Sequence, residues 1–404
     1  MRARDLGIEI GVGTPGPYNA ITDVPGVRVG HATRVEGNGP LVIGEGPIRT
    51  GVTIVFPHDG DVWDQPLFAA LFPLSGVTHP TGLEWMREFG TIQSPIAVTS
   101  SWCVGTVCDA LIAEAVASRG PTRPFLAIPV VLETWDGILN DVQGQHVRRS
   151  DVAEAARSAS SGPVAEGNVG GGTGMLCHGF KGGIGTASRV LDDSLGGYML
   201  GVLVQTNHGH RRRLQVNGVP VGERIPSSEV PIPTEAGQMW GGSSNLYPAK
   251  ARSSIIVIIA TDAPLLPGQL ERLAKRATLG IGRTGGVGES WSGDVAIAFS
   301  TANRQIAGEY SAAAPSPDRT TSGTGPSLTT DVTMLFDAFI DALFYSVVEA
   351  TEEAIVNALV AAETMTGRDG ITVYQLPHDR LIDTMTEFGR PARHGIASPP
   401  GLRD

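Results

Sequence analysis

The chain has 404 residues, 41% hydrophobic and 18% charged, with 53 glycines and no Gly-X-Y period; it is neither disordered nor collagen-like, and its length allows one large domain or several small ones. Thirty basic residues against 41 acidic ones give a net charge of −11, which argues against nucleic acid or an anionic membrane as a main partner. Cys103, Cys108 and Cys177 form no CxxC pair, the first residues lack the apolar core of a secretory signal, and no uninterrupted apolar run approaches the ~18 residues of a span, so a cytoplasmic protein without disulfides is expected.

In chain order, ITDVPGVRVGHAT (21–33) gives a short alternating strand after a Pro-Gly turn, and GVTIVFP (51–57) and SPIAVTSS (94–101) read as buried strands. A helical pattern fits 64–71, and another fits 104–118, with Val107, Leu111, Ile112 and Ala115 on one face. FLAIPVVLETWDG (125–137) reads as a strand running into a polar loop, followed by a helix near 152–159. The densest glycine segment, EGNVGGGTGMLCHGFKGGIGTASR (166–189), precedes the strand-like YMLGVLVQTNHG (198–209). Residues 211–253 show no sustained period, and a stretch of that length is often functional. The basic run Arg211-Arg212-Arg213 within it reads as a solvated surface.

Order resumes with SSIIVIIATDAP (253–264), a fully apolar strand, then an amphipathic helix carrying Leu266, Leu270, Leu273 and Ala274, then the strand DVAIAFST (294–301). Residues 331–363 keep helical periodicity, with Phe336, Phe339, Ile340, Leu343 and Phe344 as the apolar stripe. No internal repeat or domain linker stands out, and the mixed order of strands and helices predicts a single α+β domain over 1–404.

Two GxGxxG matches, Gly11 to Gly16 and Gly280 to Gly285, lack the strand-before, helix-after setting of a dinucleotide site and read as turns. Cys177, His178, His208 and His210 do not repeat a metal-ligand spacing, and no metal is assigned. The glycines at 167–174 read as backbone donors or space close to a site, without the lysine-threonine pair of a phosphate cradle. Lys181 is given no catalytic role and is expected at the surface or in a structural one.

The Ser253-Ser254 junction joins an irregular segment to a buried strand. A serine there can attack the preceding carbonyl, and hydrolysis of the resulting ester frees a chain that begins with serine. Its α-amine, with an ordinary pKa of about 8, can deprotonate its own hydroxyl near neutral pH. By pattern alone the same pair also fits an ordinary loop end.

ITDVPGVRVGHAT, ETWDGILND, GNVGGGTGMLCHGFKGGIG, SIIVIIATDAPLLP, LGIGRTG, SGD-x-AIAFSTAN and ATEEAIVNALVAAETMTGRDG, spread from about residue 20 to 370, resemble the L-aminopeptidase D-amidase/D-esterases and β-peptidyl aminopeptidases, the P1 serine peptidases. The resemblance implies an αββα sandwich of the type shared with ornithine acetyltransferases, an N-terminal-nucleophile-like mechanism, autocleavage into an α chain of 1–253 and a β chain of 254–404, and a homo-oligomer of αβ units. It makes Ser254 the nucleophile, with Ser253 the alternative; relatives carry glycine or asparagine before the cut, so Ser253 bears on the processing rate. Ser292 and Asp294 become the supporting relay, Asn207 the oxyanion stabiliser, Glu133 the acceptor of the substrate's amino group and Trp135 a pocket wall. Taken without the resemblance, these residues also fit a polar turn, a turn asparagine, and loop polarity and packing. The implied activity is release of N-terminal residues from short peptides, amides or esters bearing a free amino group, without cofactor. Acyl transfer as in the ornithine acetyltransferases is the alternative, but that branch carries a threonine nucleophile in an Ala-Thr-Met pattern. A further alternative is an unprocessed, non-catalytic ligand-binding protein of the same fold.

Overall fold

The run that starts at Ser254 has no polar face, so a strand built from it must be covered on both sides. In the computed structural model of the chain, which describes residues 1–119, 126–233, 253–304, 306 and 329–390, it lies inside a six-stranded sheet. The strands are β1 (Arg28–Glu36), β2 (Ile48–Phe56), β3 (Leu67–Gly76), β4 (Thr91–Ile92), β5 (Ile96–Ser100), β6 (Val130–Thr134), β7 (Leu176–Cys177), β8 (Phe180–Lys181), β9 (Ile184–Val190), β10 (Met199–Asn207), β11 (Ser254–Thr261), β12 (Gly293–Ser300), β13 (Met365–Thr366) and β14 (Thr372–Val373). The helices are α1 (Leu83–Phe89), α2 (Val104–Arg119), α3 (Arg149–Ser158), α4 (Val221–Arg224), α5 (Pro267–Arg283), α6 (Asp341–Ala361) and α7 (His378–Glu387).

One sheet runs β1-β2-β5-β6 and the other β4-β3-β12-β11-β10-β9. Alternation along β11 shows how the layers form: Ile256, Ile258 and Ala260 join a core with Val55, Val98 and Leu132 of the facing sheet. Ile255, Val257 and Ile259 instead meet Leu270 and Leu273 of α5 and Val347 and Ala354 of α6. On the far side, Val104, Val107 and Leu111 of α2 and Val152 and Ala155 of α3 cover Val52 and Ile54. The order helix, sheet, sheet, helix is the αββα sandwich that the sequence resemblance implies.

Close approach of helix to sheet depends on missing side chains. A Cβ at Gly185 of β9 would lie 2.0 Å from the Ala354 carbonyl oxygen of α6, and one at Gly30 of β1 would lie 2.0 Å from that of Ala155. A buried ion cluster ties the N-terminal segment to α6: Arg189 Nη2 meets Glu353 Oε2 at 2.8 Å, and Arg4 Nε meets Glu353 Oε1 at 2.8 Å. Burial opposes the Glu353 charge, but the Arg4 and Arg189 guanidiniums outweigh it and hold the carboxyl below its ordinary range.

Several sequence expectations change. Residues 64–71 are not helical; Leu67, Ala69 and Leu71 of β3 point alternately into the inter-sheet core, a period of two that a short window confuses with a helical one. The C-terminal helix begins only at Asp341, and Phe336 and Phe339, 72% and 51% exposed, lie outside its buried stripe. Helix 101–119 is long and apolar enough by composition to cross a membrane, yet it lies on the sheet with Val104, Val107 and Leu111 buried. Arg211 is not solvated: it is buried, stacks 3.4 Å over the Phe180 ring and donates to the carbonyls of His178, Gly179, Ile225 and Val230. Gly280 and Gly282 belong to α5 rather than to a turn. Residues 234–252 of the irregular segment lie outside the described residues.

Candidate active site

Antiparallel pairing of β10 with β11 puts Asn207 directly opposite Ser254. On the other side of β11 lies β12, parallel to it, and the register of β12 against β3 shifts between Asp294 and Val295. Such an irregularity re-aims side chains at the end of a strand. Four segments therefore converge where β11 begins: the end of β10, the junction 253–254, the start of β12 and the end of β6.

The hydroxyl of Ser254 donates to the carbonyl oxygen of Ser253 at 2.7 Å. The Gly293 N–H reaches both atoms, 3.1 Å from Ser254 Oγ and 3.2 Å from the Ser253 oxygen. A single backbone donor thus touches the candidate nucleophile and the carbonyl of the bond it would cut. No side chain fits at 293, because a Cβ there would lie 2.7 Å from the Val77 carbonyl oxygen and 2.8 Å from Thr78 Cβ.

Ser292 and Asp294 are brought together, with Ser292 Oγ donating to Asp294 Oδ1 at 2.5 Å; the other side of Ser292 Oγ meets Ser253 Oγ at 2.9 Å rather than Ser254. Asp294 also accepts the N–H of Ile255 at 3.0 Å, which fixes the start of β11. Burial, and next the negative charge of Glu289, push the Asp294 carboxyl up to about 6 against the lowering effect of its hydrogen bonds.

Asn207 is held by backbone groups on both sides of its amide. Its Oδ1 accepts the Leu176 N–H at 3.0 Å and its Nδ2 donates to the Trp135 carbonyl at 3.0 Å. Trp135 is half-buried, and its ring lies where a Gly137 side chain would stand and packs on Ile138, Leu139 and Leu176. Glu133, buried at the end of β6, accepts from Thr78 Oγ1 at 2.6 Å and from Ser101 Oγ, and His79 Nδ1 lies 3.7 Å away. Thr78 connects the two halves, since it holds Glu133 and packs against Gly293. A cleft of about 720 Å³ opens beside these residues, lined by Pro73, Gly76, Thr78, His79, Trp85 and Val295 among others.

The glycine-rich segment works at one remove. A Cβ at Gly171 would meet Gln205 Oε1 at 2.1 Å and one at Gly172 the Ile184 N at 2.5 Å, so these glycines let the turn 170–172 pack between the sheets. Their described neighbours include Thr53, Val98, Asp136, Ile184 and Gln205 rather than Ser254, and the same segment runs on to Leu176, whose N–H holds Asn207. Lys181 is fully buried, not at the surface. Its ammonium donates to the carbonyls of Gly172, Met175 and Gly182 at 3.3, 2.8 and 2.8 Å, one for each N–H, while burial lowers its pKa to about 7.

Cys177 and His178, adjacent in sequence, and the distant His208 have ligand atoms within 4.8 Å of one another. His178 Nδ1 donates to the His210 carbonyl at 3.0 Å, and burial lowers its pKa to about 4 and pushes the Cys177 thiol up to about 12. The donor set suits a thiophilic metal ion. However, Arg211, which donates to the His178 carbonyl, and Lys181, beside Cys177, already place two buried cationic groups here, so a further cation is electrostatically opposed.

Three contributors were missed from sequence. Gly293 lies inside the SGD motif but acts through its backbone, and Thr78 carries no signal. Glu289, three residues before Ser292, folds back so that its Oε2 accepts from Ser253 Oγ at 2.9 Å.

The Peptidase family S58 model matches residues 19–373. The chain is 44% identical over 391 residues to the beta-peptidyl aminopeptidase BapA of Sphingosinicella microcystinivorans, covering 97% of this chain and 93% of that protein. Among solved structures, a Burkholderia sp. beta-aminopeptidase superposes with a TM-score of 0.83 at 48% identity, covering 96% of this chain and 99% of that one. The L-aminopeptidase D-Ala-esterase/amidase of Ochrobactrum anthropi, described as a prototype for the serine aminopeptidases and a new variant of the Ntn hydrolase fold, superposes at 0.81 with 40% identity, over 97% and 99% of the two chains. The chain belongs to peptidase family S58 and is a serine aminopeptidase of α+β, Ntn-hydrolase-like fold.

Proposed function

We propose that the chain cuts itself between Ser253 and Ser254 into an α chain of 1–253 and a β chain of 254–404, and that the freed Ser254 is the nucleophile of the mature enzyme. The observation that carries this is the shared Gly293 N–H, which touches both Ser254 Oγ and the Ser253 carbonyl oxygen. After the cut, the α-amine of Ser254 serves as the base for its own hydroxyl, without a histidine. A substrate carbonyl takes the place vacated by Ser253, with Gly293 N–H and the second Nδ2 hydrogen of Asn207 stabilising its developing negative charge. Asp294 orients Ser292, which holds the new amine once Ser253 has withdrawn.

Glu133 uses two of about four carboxylate lone-pair positions on Thr78 and Ser101. The remaining positions suit the ammonium of a substrate's N-terminal residue, and the cleft beside Thr78 and His79 suits its side chain. The substrates are short peptides, amides or esters with a free amino group; the names of the relatives add β-amino acid residues at the N-terminus. The mature protein is an assembly of αβ units.

The test compares hydrolysis of an amino acid amide with that of its N-acetylated form, in the wild type and in Glu133→Gln. Turnover of the free amine alone, with KM raised about tenfold or more in E133Q, is expected. Equal turnover of the blocked and free amides would contradict the role given to Glu133.

A further inference from the structure

Ser253 is joined to Glu289 by its hydroxyl and to Ser292 by the same oxygen, so four side chains stand in a row: Glu289, Ser253, Ser292, Asp294. The contacts are 2.9, 2.9 and 2.5 Å. Two hydroxyls supply two protons, but three hydrogen bonds need three, so the row is complete only when one carboxyl is protonated. With Asp294 protonated, each group donates toward Glu289; with Glu289 protonated, each donates toward Asp294. Glu289 is thus linked to Asp294 through the residue that leaves in the cut. Its other oxygen, Oε1, is buried and has no hydrogen-bond partner among the described residues. The Glu289 charge also acts on His210, opposing the burial that lowers the imidazole's pKa.

We propose that Glu289 is a positioning residue for self-processing: its bond to the Ser253 hydroxyl seats the Ser253 carbonyl on the Gly293 N–H before the cut, and its charge drives the new Ser253 carboxylate away from that N–H afterwards. The inference rests on the proposal that Ser254 cuts the chain. In the first step, Ser254 Oγ adds to the Ser253 carbonyl carbon, and the C–N bond breaks as the nitrogen takes up the hydroxyl proton, leaving an ester and a free amine. Water then adds to the ester carbon and the C–O bond to Ser254 breaks. The Ser254 hydroxyl is restored, Ser253 keeps a carboxylate, and the α-amine takes the released proton. That carboxylate forms where the substrate carbonyl must bind, beside the Glu289 that holds the Ser253 hydroxyl. Like charges so placed repel, and the repulsion from Glu289 clears the position.

Freshly translated wild type, Glu289→Gln, Ser253→Ala, the double variant and Ser254→Ala are followed by intact mass against time, and KM and kcat are measured on the cut products. E289Q and S253A are each expected to slow the cut about tenfold, the loss of one charge-assisted hydrogen bond, and the double variant to be no slower than either single one. Cut E289Q is expected to raise KM about fivefold, with the effect on KM rather than kcat, because the retained α-chain terminus competes with substrate. Cleavage of E289Q at the wild-type rate, or slowing by E289Q that persists undiminished in the S253A background, would overturn the proposal while leaving Ser254 in place. A wild type that stays whole, or a Ser254→Ala chain that is cut, would remove the self-processing proposal and this one with it. Should E289Q fail to fold, S253A cut as fast as wild type is sufficient to overturn the inference.

Discussion

Asn207 and Ser254 are Cα partners across the β10–β11 ladder, so the amide assigned to the oxyanion and the assigned nucleophile are fixed relative to each other by strand register rather than by a loop. Replacing Asn207 with alanine removes the donor together with its bonds to the Leu176 N–H and the Trp135 carbonyl. A kcat lower by about 10²–10³ is expected on cut enzyme with an amide substrate. A loss below about fivefold would show that Asn207 does not meet the developing charge.

Asp294 gives the pH dependence. Burial and the Glu289 charge raise it to about 6, so it accepts the Ser292 proton above that pH and is protonated below it. Amidase activity is expected to show two acid limbs, one from protonation of the Ser254 α-amine near its ordinary value of about 8 and a second as pH drops through about 6, with Glu289→Gln moving the second to lower pH and Asp294→Asn removing it. A limb near pH 6 left in place in D294N would assign it to another group.

Stability is expected to depend strongly on the ion cluster at Arg189. Both Arg189 and Glu353 are fully buried, and removing Arg189 leaves the Glu353 carboxylate with Arg4 as its ion-pair partner. Arg189→Met is expected to lower stability by about 3 kcal/mol, the low end for breaking a buried pair, read as a shift in the denaturant midpoint. The exposed Arg87–Glu84 pair on α1 serves as the comparison, and Arg87→Ala is expected to leave the midpoint unchanged.

His178 supplies a second pH effect, on folding. Its pKa is lowered to about 4 by burial from an ordinary 6.5, so the folded protein holds it neutral. The stability it contributes is complete above about 6.5 and is lost as pH falls from there through about 4. Asparagine tolerates the positive φ of 49° at this position. The stability difference between wild type and His178→Asn is expected to shift against the wild type across that window; a constant difference would show that His178 is not held neutral.

The parts of this molecule legible in the sequence are those carried by long, one-signed patterns. The apolar run at 255–260 required a strand covered on both faces, and Leu270, Leu273 and Ala274 required a helix lying on it; both are present. Ser254, Asn207, Ser292 and Asp294 followed from motif resemblance, and the fold brings them to one strand end. Glu133 and Trp135 come to the same place from β6 and the loop after it.

What was not legible depends on three-dimensional return. The strand at Leu67 was read as helix because a few residues satisfy both periods. Phe336 and Phe339 extended the helical pattern past the real start of the helix. Arg211 reads from sequence as a surface charge and Lys181 as a surface or structural one, yet each satisfies buried carbonyls that only the folded turn brings together. Glu289 could not be found from sequence, since its partner Ser253 is 36 residues away and the signal is one hydrogen bond.

The most direct test of Ser254 as a self-cutting nucleophile is the intact mass of freshly purified wild type beside Ser254→Ala. The expected result is two wild-type fragments divided between Ser253 and Ser254 and one uncut S254A chain. A cut one residue earlier would move the nucleophile to Ser253, and a wild type that stays whole on incubation would contradict the free-amine mechanism.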